Sequence, residues 1–495
     1  MGNPITATVS IDPEHHRGPI DRRLFGTFVE HLGRCVYGGI FEPGHPRADE
    51  HGFRGDVADL VRELGVTLVR YPGGNFVSGY RWEDGIGPVQ ARPRRLDLAW
   101  RSIEPNTVGT DEFLGWTARL GLEPMLAVNL GTRGIQEAAD LVEYCNIAGG
   151  TAWSDRRRAN GFARPHGVRL WCLGNEMDGP WQIGHKDAHA YGVLATQAGQ
   201  AMKLVDPSIE LVVCGSSARD MPTFGQWEST VLEHAYDVVE YVSLHAYYEP
   251  HDGDRRSFLA SGAAMHAFIA DVLATADAVG ARKRSRRRLR LSFDEWNVWY
   301  ISQFPGNDEP EPRLAPPLLE QVYNGLDAVV VGDLLITLLN NADRVAIGCL
   351  AQLVNVIAPI LSETGGPARR QSTFHPFAHT AARATGRSLV ATVDAPQFST
   401  ARHVDVPTVS AAATHDPDNG AVSVFLVNRT DAEAEVTLRH PGFADLQLAT
   451  ARTIRVSDDD VATTGAQPLK ELMGDGSATT LRLPPESWTF LAQAA

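Results

Sequence analysis

Val168-Arg169-Leu170-Trp171-Cys172-Leu173-Gly174-Asn175-Glu176 is a short apolar run that stops at an amide and a carboxylate. Runs of this kind occur eight times between about residues 24 and 355: Leu24 to Glu30, Val66 to Arg70, Pro124 to Asn129, Val168 to Glu176, Glu210 to Ser216, Tyr241 to Tyr247, Leu289 to Glu295 and Arg344 to Gln352. Most of them alternate little, as strands do when a parallel sheet is buried on both faces. Between them lie segments with helical spacing, among them Val57, Leu60, Val61 and Leu64, then Phe113, Leu114, Thr117 and Leu120, then Leu334, Leu335, Leu338 and Leu339. Gly109-Thr110-Asp111-Glu112-Phe113 adds cap chemistry, with Thr110 expected as the cap ahead of two acids that favour the positive end of a helix dipole. Eight strands alternating with helices over about 360 residues are the count of a (β/α)8 TIM barrel, whose functional residues gather at the C-terminal strand ends.

After about Gly386 the pattern changes to short alternating strands: Val406 to Ala412, Ala421 to Val427, Glu435 to Arg439, Leu446 to Val456, Thr479 to Leu483 and Trp488 to Leu491. Asp418-Asn419-Gly420 is a hairpin turn, and strands with turn signals at this spacing read as a β-sandwich, here jelly-roll-like. The alternation Ile5-Thr6-Ala7-Thr8-Val9-Ser10-Ile11 has no place in the barrel and is assigned to the sandwich as an extra strand. The expected division is a barrel over 18–384 and a sandwich built from 1–17 plus 385–495.

The 495 residues carry 45 Lys plus Arg against 60 Asp plus Glu, a formal charge of −15. An acidic balance excludes nonspecific binding to nucleic acid or anionic membrane, since the phosphate attraction needs an excess of basic side chains. The one basic run, Arg282 to Arg288, precedes an apolar strand and reads as a solvated helix-to-strand connection. Five cysteines, Cys35, Cys145, Cys172, Cys214 and Cys349, show no C-x-x-C spacing, so neither a zinc cage nor a disulfide framework is indicated. Met1-Gly2-Asn3-Pro4-Ile5 starts no export signal and no segment reaches about 18 apolar residues, so a soluble cytoplasmic protein is expected. Asn428-Arg429-Thr430 matches a glycosylation acceptor that carries little weight without export.

The polar residues at the strand ends are Glu30, Arg70 with Asn75, Asn129, Asn175 with Glu176, Ser216, His245 with Tyr247, Glu295 and Gln352. Neutral amides, a tyrosine and an arginine suit sugar hydroxyls, while carboxylates supply the acid, base or nucleophile of glycosidic cleavage. Metal chemistry asks for other residues: His185 and His189 are spaced i, i+4 but lack the glutamate of the zinc protease motif, so no metal and no cofactor are expected. Strands four and seven face each other across a closed barrel. Glu176 and Glu295, at their ends, can therefore flank one bound sugar.

At these residues the sequence resembles the α-L-arabinofuranosidases of glycoside hydrolase family 51. The two stretches Gly174-Asn175-Glu176-Met177-Asp178-Gly179-Pro180-Trp181-Gln182-Ile183-Gly184-His185 and Asp294-Glu295-Trp296-Asn297-Val298-Trp299-Tyr300 look like that family's signatures. Arg70-Tyr71-Pro72-Gly73-Gly74-Asn75, Trp82 to Pro88, Gly109 to Phe113 and Ser243-Leu244-His245-Ala246-Tyr247 are similar to its other motifs, in the same order.

The resemblance implies a retaining, exo-acting arabinofuranosidase with Glu176 as general acid/base and Glu295 as nucleophile. In that scheme Glu176 needs a raised pKa, while Arg70 and Tyr247 are suited to keep Glu295 ionised. It also implies that Glu30, Asn75, Asn175 and Gln352 bind furanose hydroxyls, with Asn175 at the 2-OH. His245 joins the substrate-binding set, and Trp100, Trp181 and Trp299 form walls that stack on sugar. The acidic, proline-containing segment 301–316 is expected as a rim or lid. The implied partner is a small arabino-oligosaccharide, and the implied assembly a homo-oligomer, hexameric in the family. Two other readings stay open at this point. One is a barrel glycosidase of other specificity, an endo-glucanase or β-xylosidase, because the carboxylate pair is shared and pocket shape sets the sugar. The other is a noncatalytic carbohydrate-binding protein, against which stand two intact carboxylates.

Overall fold

The computed structural model describes residues 5–304, 306, 311–443, 446–458, 460–469, 472–474 and 478–493. Eight parallel strands close a barrel: Gly26–Phe28, Leu68–Tyr71, Glu123–Ala127, Leu170–Leu173, Glu210–Val213, Tyr241–Tyr248, Arg290–Val298 and Val345–Leu350. Each overlaps its apolar run in the sequence. The first strand sits between the second and the eighth, with Gly26 opposite both Leu68 and Cys349, and this pairing seals the cylinder. No edge remains to template further pairing. Leu68, Met125, Leu170, Cys172, Val212 and Ile347 fill the interior as a cluster of their own.

Helices follow the strands in turn: Gly55–Leu64, Thr110–Leu120, Ile135–Asn146, Ala188–Val205, Gln226–Ala235, Ser261–Arg282, Gly325–Leu339 and Phe374–Arg383. In the second, Gly109 rather than Thr110 holds the cap position, and the Glu112 carboxylate accepts the Gly109 N–H at 2.9 Å. Thr110 cannot cap because it is already the first helical residue. Helix Ser261–Arg282 is the one among the described residues long and apolar enough to cross a membrane. It packs along the barrel with Met265, Phe268, Ile269, Val272, Ala276 and Val279 buried. The basic run after it does connect helix to strand, and four of its charges are paired: Arg282 with Glu233, Lys283 with Asp237, Arg287 with Glu240 and Arg288 with Asp277.

Two further sheets pack face to face. One orders His16–Pro19, Arg387–Leu389, Val409–His415, Val422–Asn428, Ser487–Gln493, Leu448–Arg455 and Gln467–Pro468; the other orders Thr392–Asp394, Ile5–Ser10, Ala434–Arg439, Ala478–Leu483 and Leu472–Gly474. The N-terminal strand lies in the second sheet, parallel to Ala434–Arg439 with Ala7 opposite Val436. Between the sheets Val9, Val424, Leu426, Val436, Leu438, Leu481 and Leu491 are buried together. The expected strand from Val406 is split after Pro407, which has no N–H to continue the ladder, and Thr408 N–H turns to the Pro396 carbonyl. Val406–Pro407 pairs instead with Gln397–Phe398. Asn428 is fully buried and its amide donates to Ala432 and Pro484 carbonyls, so the glycosylation motif is sterically closed.

Helix Gly325–Leu339 joins the two parts. It is buried on every side because one face meets the barrel and the other meets Val409–His415, Val422–Asn428, Leu448–Arg455 and Ser487–Gln493, so its sequence shows no polar stripe. Gly332 admits the Trp488 ring, which a Cβ at that position would overlap. Asp333 points across and receives Arg429 as a two-pronged pair, Nε at 3.0 Å and Nη2 at 2.8 Å, with both side chains buried.

Arg429→Ala leaves the Asp333 carboxylate buried without its cation and is expected to destabilise the fold by about 3–5 kcal/mol in denaturant unfolding. Arg429→Met combined with Asp333→Leu removes both charges and is expected to regain most of that loss. A double variant no more stable than Arg429→Ala would show that the paired charge is not the origin.

Candidate active site

Arg70 ends the second barrel strand with its guanidinium wholly inside the barrel. Nη2 donates to Asn175 Oδ1 at 2.7 Å, Nη1 to Glu295 Oε2 at 3.0 Å, and Nε lies 3.3 Å from Asp294 Oδ2. Its other face covers the Phe28 ring at 4.6 Å, a cation–π contact that screens it from water. One side chain thus ties the ends of strands two, four and seven, and the surrounding carboxylates push its pKa well above the ordinary value against the effect of burial.

Glu295 also receives the Tyr247 hydroxyl on Oε1 at 2.6 Å. Burial raises the Glu295 carboxyl above the usual carboxylate range and Glu176 adds to the rise, while His245 and Arg70 oppose it. Arg70 and Tyr247 therefore sit where the sequence reading put them, and they limit a shift that they do not reverse. Burial and Glu295 keep the Tyr247 phenol protonated, so it remains a donor.

Glu176 stands in the left-handed backbone region, φ 43°, two residues after Gly174 at φ 92°, and this turn out of the fourth strand aims its carboxyl inward. Oε2 accepts the Trp181 indole N–H at 2.6 Å and Oε1 lies 2.9 Å from His245 Nδ1. His245 Nδ1 is also 3.5 Å from Glu295 Oε2, and its Nε2 is 3.6 Å from Asp294 Oδ1. Burial disfavours the imidazolium, but Glu295, Asp294 and Glu176 outweigh it and lift the His245 pKa to about 10. Asp294, held by Ser243 Oγ at 2.6 Å as well, is pushed up by burial, yet Arg70 and His245 bring it below the usual range.

Consecutive residues of a strand normally point to opposite faces. Pairing of strand seven with strand eight slips between Phe293 and Trp296, and with strand six it slips between Ser243 and His245. Such bulges re-aim side chains. Here they let both Asp294 and Glu295 reach buried partners inside the barrel mouth.

A second group forms around Glu30, which accepts the Phe76 N–H at 3.0 Å, the Trp100 indole at 2.9 Å and the Gln352 amide at 3.0 Å. Burial pushes its pKa up to about 7 despite these donors. Gly73 makes the approach possible: a Cβ there would lie 2.7 Å from Glu30 Cγ and 3.0 Å from its Oε1, whereas one on Gly74 would only touch Glu30 Oε2 at 3.3 Å. Buried polar atoms almost always find partners. Asn175 Nδ2, Gln352 Oε1 and Trp299 Nε1 have none, and each belongs to a strand end or its following loop. They are one donor, one acceptor and one donor left free for hydrogen bonding.

Of the strand-end residues read from the sequence, Asn129 donates to the Tyr80 carbonyl at 2.9 Å and Ser216 N–H to Glu228 Oε1 at 2.7 Å, away from the paired carboxylates. Arg70, Asn175, Glu176, His245, Tyr247 and Glu295 form one group joined by hydrogen bonds and ion pairs, and Glu30 and Gln352 a second. Asn75 opens a 3-10 turn next to Gly74. Trp299 meets the Tyr247 ring edge-on at 4.9 Å. Trp181 is 52% exposed and Trp100 is buried, each with its indole N–H on a carboxylate. Of the expected rim, Ile301–Gln303 is a short turn, residues 305 and 307–310 lie outside the described ones, and Arg313 O accepts the Ile103 N–H at 2.9 Å. The sequence reading passed over Asp294, although an acid preceding the strand-seven glutamate was its signal.

Glu176, His245 and Glu295 present ligand atoms within 4.8 Å of one another, a spacing that a cation could also use. Arg70 and a charged His245 already supply positive charge there, so the arrangement suits acid–base and nucleophilic work. Two carboxylates this close match the separation of about 5–5.5 Å at which one attacks a sugar carbon while the other protonates the departing oxygen; catalysis with inversion needs about 6.5–9.5 Å.

Comparison with known proteins agrees with this geometry. Residues 60–259 match the family description α-L-arabinofuranosidase 1 domain, and 294–484 match the α-L-arabinofuranosidase C-terminal domain. The chain is 52% identical to the intracellular exo-α-(1→5)-L-arabinofuranosidase of Streptomyces lividans, over 98% of this chain and 75% of that protein. It is 53% identical to the exo-α-(1→6)-L-arabinofuranosidase of Bifidobacterium longum, over 97% and 95%. Among solved structures, the family 51 α-L-arabinofuranosidase AbfB of Bifidobacterium longum superposes with a TM-score of 0.94 at 46% identity, covering 99% of each chain.

Removing the cation between the carboxyls has a definite sign. His245→Gln takes away the strongest influence that lowers the Glu295 pKa, so Glu295 is expected to ionise at higher pH than in the unaltered protein. Titration of the Glu295 carboxyl ¹³C resonance checks this, and an unchanged or lower midpoint would contradict it.

Proposed function

The chain belongs to the α-L-arabinofuranosidases of glycoside hydrolase family 51, and from that membership we propose how its carboxylates divide the work: Glu295 is the nucleophile and Glu176 the general acid/base of a retaining double displacement. The enzyme is an exo-acting α-L-arabinofuranosidase that releases terminal non-reducing α-L-arabinofuranosyl residues from arabino-oligosaccharides. The observation that supports the division of roles is the difference in partners of the two neighbouring carboxyls: Arg70 and Tyr247 on Glu295, Trp181 and His245 on Glu176.

Glu295 receives two donors, Arg70 and Tyr247, which stabilise a carboxylate and orient its oxygens. It attacks C1 from the face opposite the leaving oxygen, and Glu176 passes a proton to that oxygen as the glycosidic bond breaks. The product is a β-linked arabinosyl ester on Glu295, which no longer carries its negative charge. Glu176 now does. His245, in contact with both, keeps its cation beside whichever carboxylate is ionised, so the charge transfer happens next to a fixed counter-ion. Glu176 then takes a proton from water attacking C1, the ester breaks, and arabinose leaves with its α configuration.

The furanose hydroxyls meet Asn175 Nδ2, Gln352 Oε1, Glu30 and Asn75, with Asn175 at the 2-OH. Satisfying the atoms left without partners favours a bound sugar over an empty site. Trp100, Trp181 and Trp299 enclose the ring. The same reading includes action inside the cell on small oligosaccharides, in keeping with the intracellular name of the Streptomyces relative. It also includes a homo-oligomeric, hexameric assembly, which light scattering of the purified enzyme tests directly.

Glu295→Ala is expected to abolish turnover. With azide and an activated nitrophenyl arabinofuranoside it is expected to yield the β-arabinofuranosyl azide, by one inverting displacement. Glu176→Ala retains the first step on the same substrate and should yield the α-azide through the ester. Exchanged product configurations would exchange the two roles. For the unaltered enzyme, NMR during the first turnovers should show α-arabinose from the arabinofuranoside and no cleavage of a matched β-D-xyloside. Initial β-arabinose would rule out double displacement.

A further inference from the structure

Between the second barrel strand and its helix a hairpin, Arg95–Leu96 paired with Ile103–Glu104, reaches over the mouth. Its tip reverses the usual sorting of side chains. Leu96 and Leu98 are 53% and 63% exposed, whereas Asp97 between them is 6% exposed. Burying a carboxylate under two exposed leucines costs free energy unless hydrogen bonds compensate it. Burial raises the Asp97 pKa to about 6, a sign of that cost.

Its partners show the role. Asp97 Oδ1 accepts the Ala99 N–H at 3.1 Å and Oδ2 the Trp100 N–H at 2.9 Å, while its own N–H donates to Ser102 O at 2.9 Å. The carboxylate therefore fixes the turn from which the Trp100 indole reaches Glu30 Oε1 at 2.9 Å. The foot of the hairpin has its own hydrogen bonds: Glu104 accepts the Tyr37 hydroxyl at 2.5 Å and lies 2.8 Å from His31 Nδ1. With the foot anchored by its own hydrogen bonds, the Asp97 carboxylate fixes the backbone of the tip, on which Trp100 and Ala99 also pack against the core.

We propose that Asp97 is a positioning residue for furanose recognition, acting on the sugar only through Trp100 and its hydrogen bond to Glu30. The inference rests on the reading of Trp100 as a wall of the furanose site. Without Asp97 the hairpin persists, but the indole samples positions in which it neither encloses the ring nor orients Glu30. Substrate binding weakens in ground state and transition state alike, so the loss appears in KM and not in kcat.

The test measures kcat and KM on a nitrophenyl α-L-arabinofuranoside for Asp97→Ala, Asp97→Asn, Trp100→Phe and the double variant Asp97→Ala with Trp100→Phe. Asp97→Ala is expected to raise KM about tenfold with kcat within about twofold, the scale of losing a buried hydrogen-bonding clamp. Asp97→Asn keeps one acceptor oxygen, folds with the same side-chain shape, and is expected to raise KM about threefold. In the Trp100→Phe background Asp97→Ala is expected to add less than about twofold, because the route to substrate is already cut. If Trp100→Phe raises KM but Asp97→Ala does not, or if the two effects multiply in full, the positioning role is overturned while the Trp100 wall stands. If Trp100→Phe leaves KM unchanged, the wall itself fails and the inference fails with it.

Discussion

The guanidinium of Arg70 is the contact on which the rest of the site depends. A buried cation is tolerable only with close partners, and a buried carboxylate only with close donors, because each alone bears a desolvation penalty of several kcal/mol. Arg70 meets Asn175, Glu295 and Asp294 at 2.7 to 3.3 Å, so three barrel strands are locked at the level of the reacting sugar. Around it the charges balance: Arg70 and His245 bring Asp294 below the usual carboxylate range, the carboxylates hold His245 cationic, and burial raises the basicity of Glu295 against the pull of His245 and Arg70. A more basic carboxylate is a better nucleophile, while Arg70 and Tyr247 keep it from taking up a proton too readily.

The barrel supplies this arrangement by geometry that a regular strand lacks. Slippage in strand seven turns Asp294 and Glu295 to the same buried region, and the left-handed turn at Glu176 aims its carboxyl toward His245. Gly73 leaves the space into which Glu30 extends. Backbone irregularities and small residues are concentrated at the strand ends, whereas the strand interiors are regular and apolar. Stability and chemistry are thus separated along each strand. The second part of the molecule supports the first through helix Gly325–Leu339, buried on both sides and fastened by Asp333 and Arg429.

Much of this was legible in the sequence. The eight runs that stop at polar residues mark the strands because burial on both faces demands apolar residues and catalysis demands polar ends. Glu176 and Glu295 stand out by the same contrast. The hidden parts depend on distance in space. Arg70 and Glu295 are 225 positions apart, and no local pattern reports that their side chains touch. The bulge that brings Asp294 inward leaves no trace in hydrophobic alternation, since Phe293 and Trp296 are apolar on either side. At Gly109 the local reading chose the hydroxyl of Thr110 over the carboxylate of Glu112, because a capping box closed by a glycine at the cap has only its acid to announce it. Asp97 was invisible for the opposite reason: between Leu96 and Leu98 an acid reads as exposed, and the hairpin inverts that order.

The most direct measurement is the site of covalent attachment. Glu176→Ala, mixed with an activated arabinofuranoside and quenched in acid within the first turnover, can be digested and its peptides weighed. The account requires one arabinosyl unit on the peptide containing Glu295, with fragmentation placing it on that side chain. A label on another carboxylate, or no label while product forms at the rate of the first step, would contradict it.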